Sequence, residues 1–376
     1  MMARLSDVGK IITGNTPKTS DALNYSSNDI CFVKPSDILD GEITMLTDSE
    51  FYISEYARHN ARILPPKSVL VTCIGIIGKV SINNVECAFN QQINAIVPDT
   101  SKCLTEYLAY AIQNKQKEMQ DIANAPLVPI LNKTQFSDIE ISLPSIELQS
   151  QIVAKIGSID KLISLRKRQL SKLDELVKSR FIELFGEVET NVKGFSMKRM
   201  DECCKFIGGA QPDKSHFEYE KTDDNIRLIQ IRDYKSDRFI TYIPKSLARK
   251  TCTASDIMIG RYGPPIFQIL GGIEGAYNVA LMKAVPTAEF NTEYFRYFLK
   301  SEKLLNYLES FSQRTAGQDG IQIDKLNAYP CFVPPIELQE QFAAFVEQVD
   351  KSKLAIQKSL EKLETLKKAL MQKYFG

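Results

Sequence analysis

Arginine and glutamine are the side chains that can grip guanine and adenine edges through two hydrogen bonds at once. In the second half of this 376-residue chain they cluster near predicted strand ends and glycine-rich turns: Gln230, Arg232, Arg261, Gln268, Arg314 and Gln318, with Tyr262 beside Arg261. The matching positions of the first half hold Lys34, Ser36, Thr72, Cys73, Gln91 and Gln92. The chemistry these residue types offer is contact with base edges and phosphates. The competing reading of any single one is a solvated loop residue.

Motifs for covalent chemistry do not accompany them. The loop Gly263-Pro264-Pro265-Ile266 lacks the acceptor side chain and the stacking ring of the Asn/Asp-Pro-Pro-aromatic loop with which amino-methyltransferases hold a base. Gly271-Gly272-Ile273-Glu274-Gly275 is a loop signal, not a nucleotide fingerprint, and no Gly-x-x-x-x-Gly-Lys-Ser/Thr sequence occurs. Pro212-Asp213 followed by Asp233-Tyr234-Lys235 fits a loose metal-nuclease pattern. Asp233, however, has a counterpart in Asp37, where no lysine follows at the right spacing. Zinc is not expected, because the only histidines, His59 and His216, accompany no Cys-x-x-Cys pair. Eight scattered cysteines suggest a reducing cytosol and mostly buried thiols. No apolar run approaches the roughly 18 residues that cross a membrane, and no signal peptide is expected. A net charge of +1 excludes little, since nucleic-acid binding depends on the local field.

The elements that must hold these residues come in two copies. Leu143-Pro144-Ser145-Ile146-Glu147-Leu148-Gln149-Ser150-Gln151 returns 190 residues later as Val333-Pro334-Pro335-Ile336-Glu337-Leu338-Gln339-Glu340-Gln341, and Phe185-Gly186 returns as Phe375-Gly376. Between these marks, apolar residues step by three and four: Ile152, Ile156, Ile159, Ile163, Leu170, Leu173, Val177 and Leu184 in the first copy. The second copy has Phe342, Val346, Val349, Ile356, Leu360, Leu363, Leu370 and Tyr374. This spacing predicts two helices of about 40 residues, roughly 60 Å each, with coiled-coil seams. Arg166 and Arg180 fill vacant seam positions in one, Lys353 and Lys367 in the other, and these gaps do not coincide. The two helices can therefore complement each other in one pair. Both are rich in lysine and arginine, which reads either as a solvated spacer or as a DNA contact.

The regions before each helix match more loosely. Glu86-Cys87-Ala88-Phe89-Asn90 aligns with Glu274-Gly275-Ala276-Tyr277-Asn278, and Thr105-Glu106-Tyr107 with Thr292-Glu293-Tyr294. Ile30-Cys31-Phe32-Val33-Lys34 aligns with Ile226-Arg227-Leu228-Ile229-Gln230, and residues 69–75 with 257–263. Short β-rich runs fill both regions, and a helix follows the strands near 107–119 and 294–310. The expected fold is mixed α/β: two strand-rich domains, 1–143 and 187–333, each followed by a long helix, 144–186 and 334–376. The helices pair as an antiparallel coiled coil, and the two modules are related by a pseudo-two-fold.

Two variable α/β domains, each ending in Leu/Val-Pro-Ser/Pro-Ile-Glu-Leu-Gln-x-Gln and a long helix, resemble the specificity subunit of type I restriction-modification systems. A start of the form Leu5-x-Asp7…Gly14-x-Thr16-Pro17, echoed by Met200-x-Glu202…Gly209-x-Gln211-Pro212, is similar to the start of such target-recognition domains. The resemblance implies that each domain reads one half of an asymmetric bipartite sequence in double-stranded DNA while the helices set the spacer. It implies no catalytic site and no cofactor in this chain. Two modification (methyltransferase) subunits would use S-adenosylmethionine, and restriction subunits would add ATP- and Mg-dependent translocation and cleavage, in a bacterial or archaeal cytosol. The alternatives are a coiled-coil adaptor and a remnant DNA-modifying enzyme.

Overall fold

The computed structural model describes residues 1–123, 128–263, 265–311 and 320–376, so Arg314 and Gln318 lie outside the described residues. Contacts divide the chain into two units: Met1–Arg168 with Gln357–Gly376, and Gln169–Ile356.

In the first unit a five-stranded sheet runs Gly9–Thr13, Ile93–Pro98, Val69–Thr72, Val80–Asn83, Thr44–Leu46. A four-stranded sheet runs Tyr52–Ile53, Ile30–Val33, Cys87–Phe89, Ile63–Leu64, and Met2–Arg4 pairs with Glu140–Ser142. The second unit repeats this order. One four-stranded sheet runs Cys204–Gly208, Leu281–Pro286, Ile257–Gly260, Gln268–Leu270. The other runs Tyr242–Pro244, Asn225–Ile229, Gly275–Tyr277, Thr251–Cys252, and Ser196–Arg199 pairs with Pro330–Val333. Val69-Leu70-Val71 and Ile257-Met258-Ile259 are fully buried, which is why these strands read as unbroken apolar runs rather than alternations. The helix expected after the strands is broken in both copies, into Thr105–Asn114 with Gln116–Ile122 and Thr292–Leu299 with Glu302–Phe311. At the second break three-residue turns close the first helix (Lys300 N–H to Tyr297 O, 3.0 Å), and the bond from Leu305 N–H to Ser301 O starts the next.

The long helices span Ile146–Phe185 and Ile336–Phe375, and each begins inside the repeated Pro-x-Ile-Glu-Leu-Gln motif. The motif recurs so faithfully because its glutamine is a fully buried clamp. Gln149 accepts from the N–H of Leu104 (2.9 Å) and donates to the carbonyls of Lys102 and Pro144, both at 2.9 Å. Gln339 accepts from Asn291 N–H (2.8 Å) and donates to Glu289 O (3.0 Å) and Pro334 O (2.8 Å). Each amide thereby ties a long helix to the loop that launches the globular helix of its unit.

The repeated Phe-Gly ends are docking points. In the first unit the Phe375 ring lies 5.2 Å from Tyr107, and its carbonyl accepts from the Asn114 side chain at 3.0 Å. In the second, Phe185 lies 4.6 Å from Tyr294 and 5.6 Å from Phe342. Gly186, at φ 74°, supplies the left-handed turn that ends the first long helix.

The helix pair is antiparallel inside each unit. In the second, Phe185 meets Phe342 and Lys353 meets Asp174 at 2.6 Å, so one chain number falls by 11 as the other rises by 11. In the first, Met371 and Phe375 share a core with Ile152 and Ile156, and Lys367 bonds Asp160 at 2.7 Å. The two lysines expected in the seam gaps thus each meet an aspartate of the opposite helix. The seam residues are buried or half-buried throughout.

Candidate nucleic-acid interface

The strands Ile30–Val33 and Cys87–Phe89 run parallel, as do Asn225–Ile229 and Gly275–Tyr277, so in each unit two C-terminal strand ends open at one edge. Two further segments join them through matched backbone bonds. Gly14 N–H donates to Ile93 O and Gly209 N–H to Leu281 O, both at 3.0 Å. Asn90 and Asn278 donate to Val33 O and Ile229 O, both at 3.1 Å. Cys73 and Arg261 donate to Gln92 O (2.8 Å) and Ala280 O (2.9 Å). Each unit therefore gathers four loops: 14–17, 34–37, 73–75 and 90–92 in the first, and 209–212, 230–233, 261–263 and 278–280 in the second.

Three small residue choices hold this cluster. At Gly14 and Gly209 a Cβ atom would strike the carbonyls of Asn90 and Asn278, so glycine is required by close backbone approach. The side chains of Asn90 and Asn278 each accept from the N–H two residues on, at 3.1 and 3.2 Å, forming matching Asx turns. Asp37 and Asp233 each accept from the N–H three residues back, Lys34 at 2.7 Å and Gln230 at 3.0 Å. Asp233 is buried, and desolvation pushes its carboxyl up, against the backbone bond and the Arg227 and Arg232 charges. Asp213 likewise accepts from Ser215 N–H at 2.8 Å. Both acids of the nuclease-like pattern are thus turn-forming residues.

On this frame the residues singled out in the sequence have different standing. Arg261 and Tyr262 are half-buried at the edge, with the guanidinium 5.3 Å from the Tyr262 ring and donating weakly to Val279 O at 3.4 Å. Its Nε is buried without a partner. Arg232 and Ser36 are exposed. Gln91 is exposed and accepts from Thr16 Oγ1 at 2.6 Å, and Gln92 accepts from Asn90 at 2.9 Å. Gln230 donates to Thr241 Oγ1 at 3.3 Å and Gln268 to Pro265 O at 3.0 Å. Lys34 lies over the Phe51 ring, 3.1 Å from its centroid. Thr72 does not reach the surface: it is fully buried, and its hydroxyl donates to Ile76 O (2.5 Å) and accepts from Lys79 N–H (3.0 Å), closing the turn between two strands. Cys73 is buried beside it. Arg62, Phe51, Arg238 and Phe239, not singled out in the sequence, are also exposed. Phe239 carried one signal, an aromatic directly after the polar run Lys235-Ser236-Asp237-Arg238.

The scaffold is a duplicated mixed α/β module whose two loop clusters differ in side chains. Its first half sets the class: residues 1–175 match the Type I restriction modification DNA specificity domain. The type I restriction enzyme HindI specificity subunit of Haemophilus influenzae is 31% identical over 192 residues, covering 50% of this chain and 41% of that one. The MjaIX specificity subunit of Methanocaldococcus jannaschii is 23% identical over 399 residues, covering 98% of this chain and 91% of its own. In fold the chain is similar to the crystal structure of a type I restriction-modification S subunit from M. genitalium, with TM-score 0.61 at 13% identity over 100% of this chain and 96% of that one. The match to the type I DNA specificity domain thus lies in the first half of the chain, and a specificity subunit that is similar along nearly all of it is 23% identical.

Proposed function

We propose that this chain is the DNA-reading subunit of a type I restriction-modification complex. Each unit reads one half of an asymmetric bipartite site through its four-loop cluster, residues 1–143 and 187–333 acting as the two target-recognition domains. The observation that carries this reading is the contrast inside the repeat. Backbone bonds of the two clusters match, while the side chains differ: Gln91 and Gln92 in one against Val279 and Ala280 in the other, with the half-buried Arg261 standing where the first unit buries Cys73. A scaffold kept constant under changing side chains suits two readers of different sequences.

The long helices act as the spacer and as the dock for two modification subunits. Leu176 and Leu366, at corresponding positions of the repeat, stay about half exposed (47% and 48%), which supports a protein partner along the helices. Chemistry then belongs to the partners: methylation with S-adenosylmethionine in the modification subunits, ATP- and Mg-dependent translocation and cleavage in the restriction subunits. This chain is non-catalytic and works in the cytosol. Among the described residues no helix is long and apolar enough to cross a membrane, and no His/Cys/Asp/Glu group could hold a metal ion.

The test is methylation-sensitive sequencing of DNA exposed to this chain assembled with its modification subunits. A bipartite motif is expected, and Arg261→Ala should relax the preference in one half only, by about tenfold at the affected base. Methylation without sequence preference, or an equal change in both halves, would overturn the reading.

A further inference from the structure

Two exposed phenylalanines stand shortly before the matching edge strands of the two units, each with a cation on its ring. In the second unit Phe239 is 57% exposed, with the Arg238 guanidinium 5.1 Å and the Arg232 guanidinium 5.8 Å from the ring centroid. In the first, Phe51 is 39% exposed and carries the Lys34 ammonium at 3.1 Å. Strand register relates the two places. Phe32 N–H bonds Phe51 O (2.8 Å) just before the edge strand Tyr52–Ile53, and Leu228 N–H bonds Thr241 O (2.8 Å) just before the edge strand Tyr242–Pro244. Phe239 lies two residues upstream of the point that matches Phe51.

Both loops are braced from beneath. Asp37 accepts from Lys34 N–H (2.7 Å) and from Glu50 N–H (2.9 Å), fixing the residue beside Phe51. In the second unit Arg227, only 19% exposed, pairs with Asp237 at 2.8 Å, and Ser236 caps the turn by accepting from Arg238 N–H at 3.1 Å. A ring that is held rigidly in water loses hydrophobic free energy it would gain by burial, so its exposure invites a partner. A cation on the ring narrows that partner to something polyanionic with an apolar interior. DNA fits: apolar side chains wedge against base steps while arginines meet the phosphates or the narrow groove.

We propose that Phe239 with Arg232 and Arg238, and Phe51 with Lys34, are wedge residues that each unit sets against a base step of its own half-site. The inference rests on the DNA-reading function above. Phe239→Ala is expected to weaken binding of the assembled methyltransferase complex to its cognate duplex about tenfold, the scale of one lost aromatic burial. Fluorescence of 2-aminopurine placed stepwise through the half-site read by the second unit should rise at one step with the unaltered complex, and not with this variant. Arg238→Ala should lower the slope of log affinity against log salt by about one. Phe51→Ala should act in the same way on the other half-site. Because both rings are exposed, the variants should keep the unaltered melting temperature. Wild-type affinity and an unchanged 2-aminopurine signal in Phe239→Ala would overturn the wedge. Absence of sequence preference in the unaltered complex would instead remove the DNA-reading function itself.

Discussion

At the scale of single residues, the buried amides of Gln149 and Gln339 show how a short motif stays constant through a duplication. Each is fully buried and serves one backbone donor and two backbone acceptors. Leucine has similar bulk but none of these bonds, and it would strand three backbone groups. Gln149→Leu should therefore destabilise the first unit by about 2–4 kcal/mol, since stranded buried groups lose both their bond and their solvation. Urea unfolding measures it, and a loss under about 0.5 kcal/mol would contradict the clamp. Thr72 teaches the opposite lesson. A hydroxyl beside a glycine-rich turn has the type expected of a surface contact, yet its partners, Ile76 and Lys79, lie within the turn itself. The local bonds of a tight turn were not visible as such in the residue pattern.

Among elements, the long helices choose their partner by unlike residues facing each other. Lys367 is 18% exposed and shares Asp160 with Tyr110, whose hydroxyl donates to the other carboxylate oxygen at 2.8 Å. Desolvation raises the Tyr110 pKa, and the neighbouring Asp160 charge raises it further. Removing the acid leaves two groups unanswered, whereas removing the lysine leaves a carboxylate that is 31% exposed and still bonded to tyrosine. Asp160→Ala is expected to cost about 1–2 kcal/mol and Lys367→Met less than about 1 kcal/mol. A double-mutant cycle in urea checks it: additive losses, with no coupling, would show that the pair does not bind the helices together. The offset of polar gaps between the two helices was legible from the heptads. Which aspartates answer the lysines was not, because Asp160 and Asp174, each next in sequence to a seam residue, flank the apolar stripe among other charged residues.

For the whole molecule, the repeat assigns separate duties to its constant and variable parts. On the proposed function, helix length sets the distance between half-sites. Deleting one heptad from each long helix should shorten the spacer by roughly 10 Å, about three base pairs at 3.4 Å each. Sequencing of methylated DNA reads the spacer directly, and an unchanged spacer in an active complex would sink the ruler.

The order of elements, both long helices with their starts and ends, and the pairing of the two halves could be read from the chain alone. Periodicity and a repeated motif are local properties, and local patterns survive in a linear text. The globular halves drifted in offset, yet Gly14, Asn90 and Asp37 recurred as Gly209, Asn278 and Asp233, because close approaches and tight turns accept few residue types. Tertiary structure alone decided which polar side chains remain available. Gln91 and Gln230 bond Thr16 and Thr241. It also decided that Phe239 faces water, although phenylalanine in a sequence reads as core. Availability depends on what the other loops bring to the same edge, and no periodicity along the chain records that meeting.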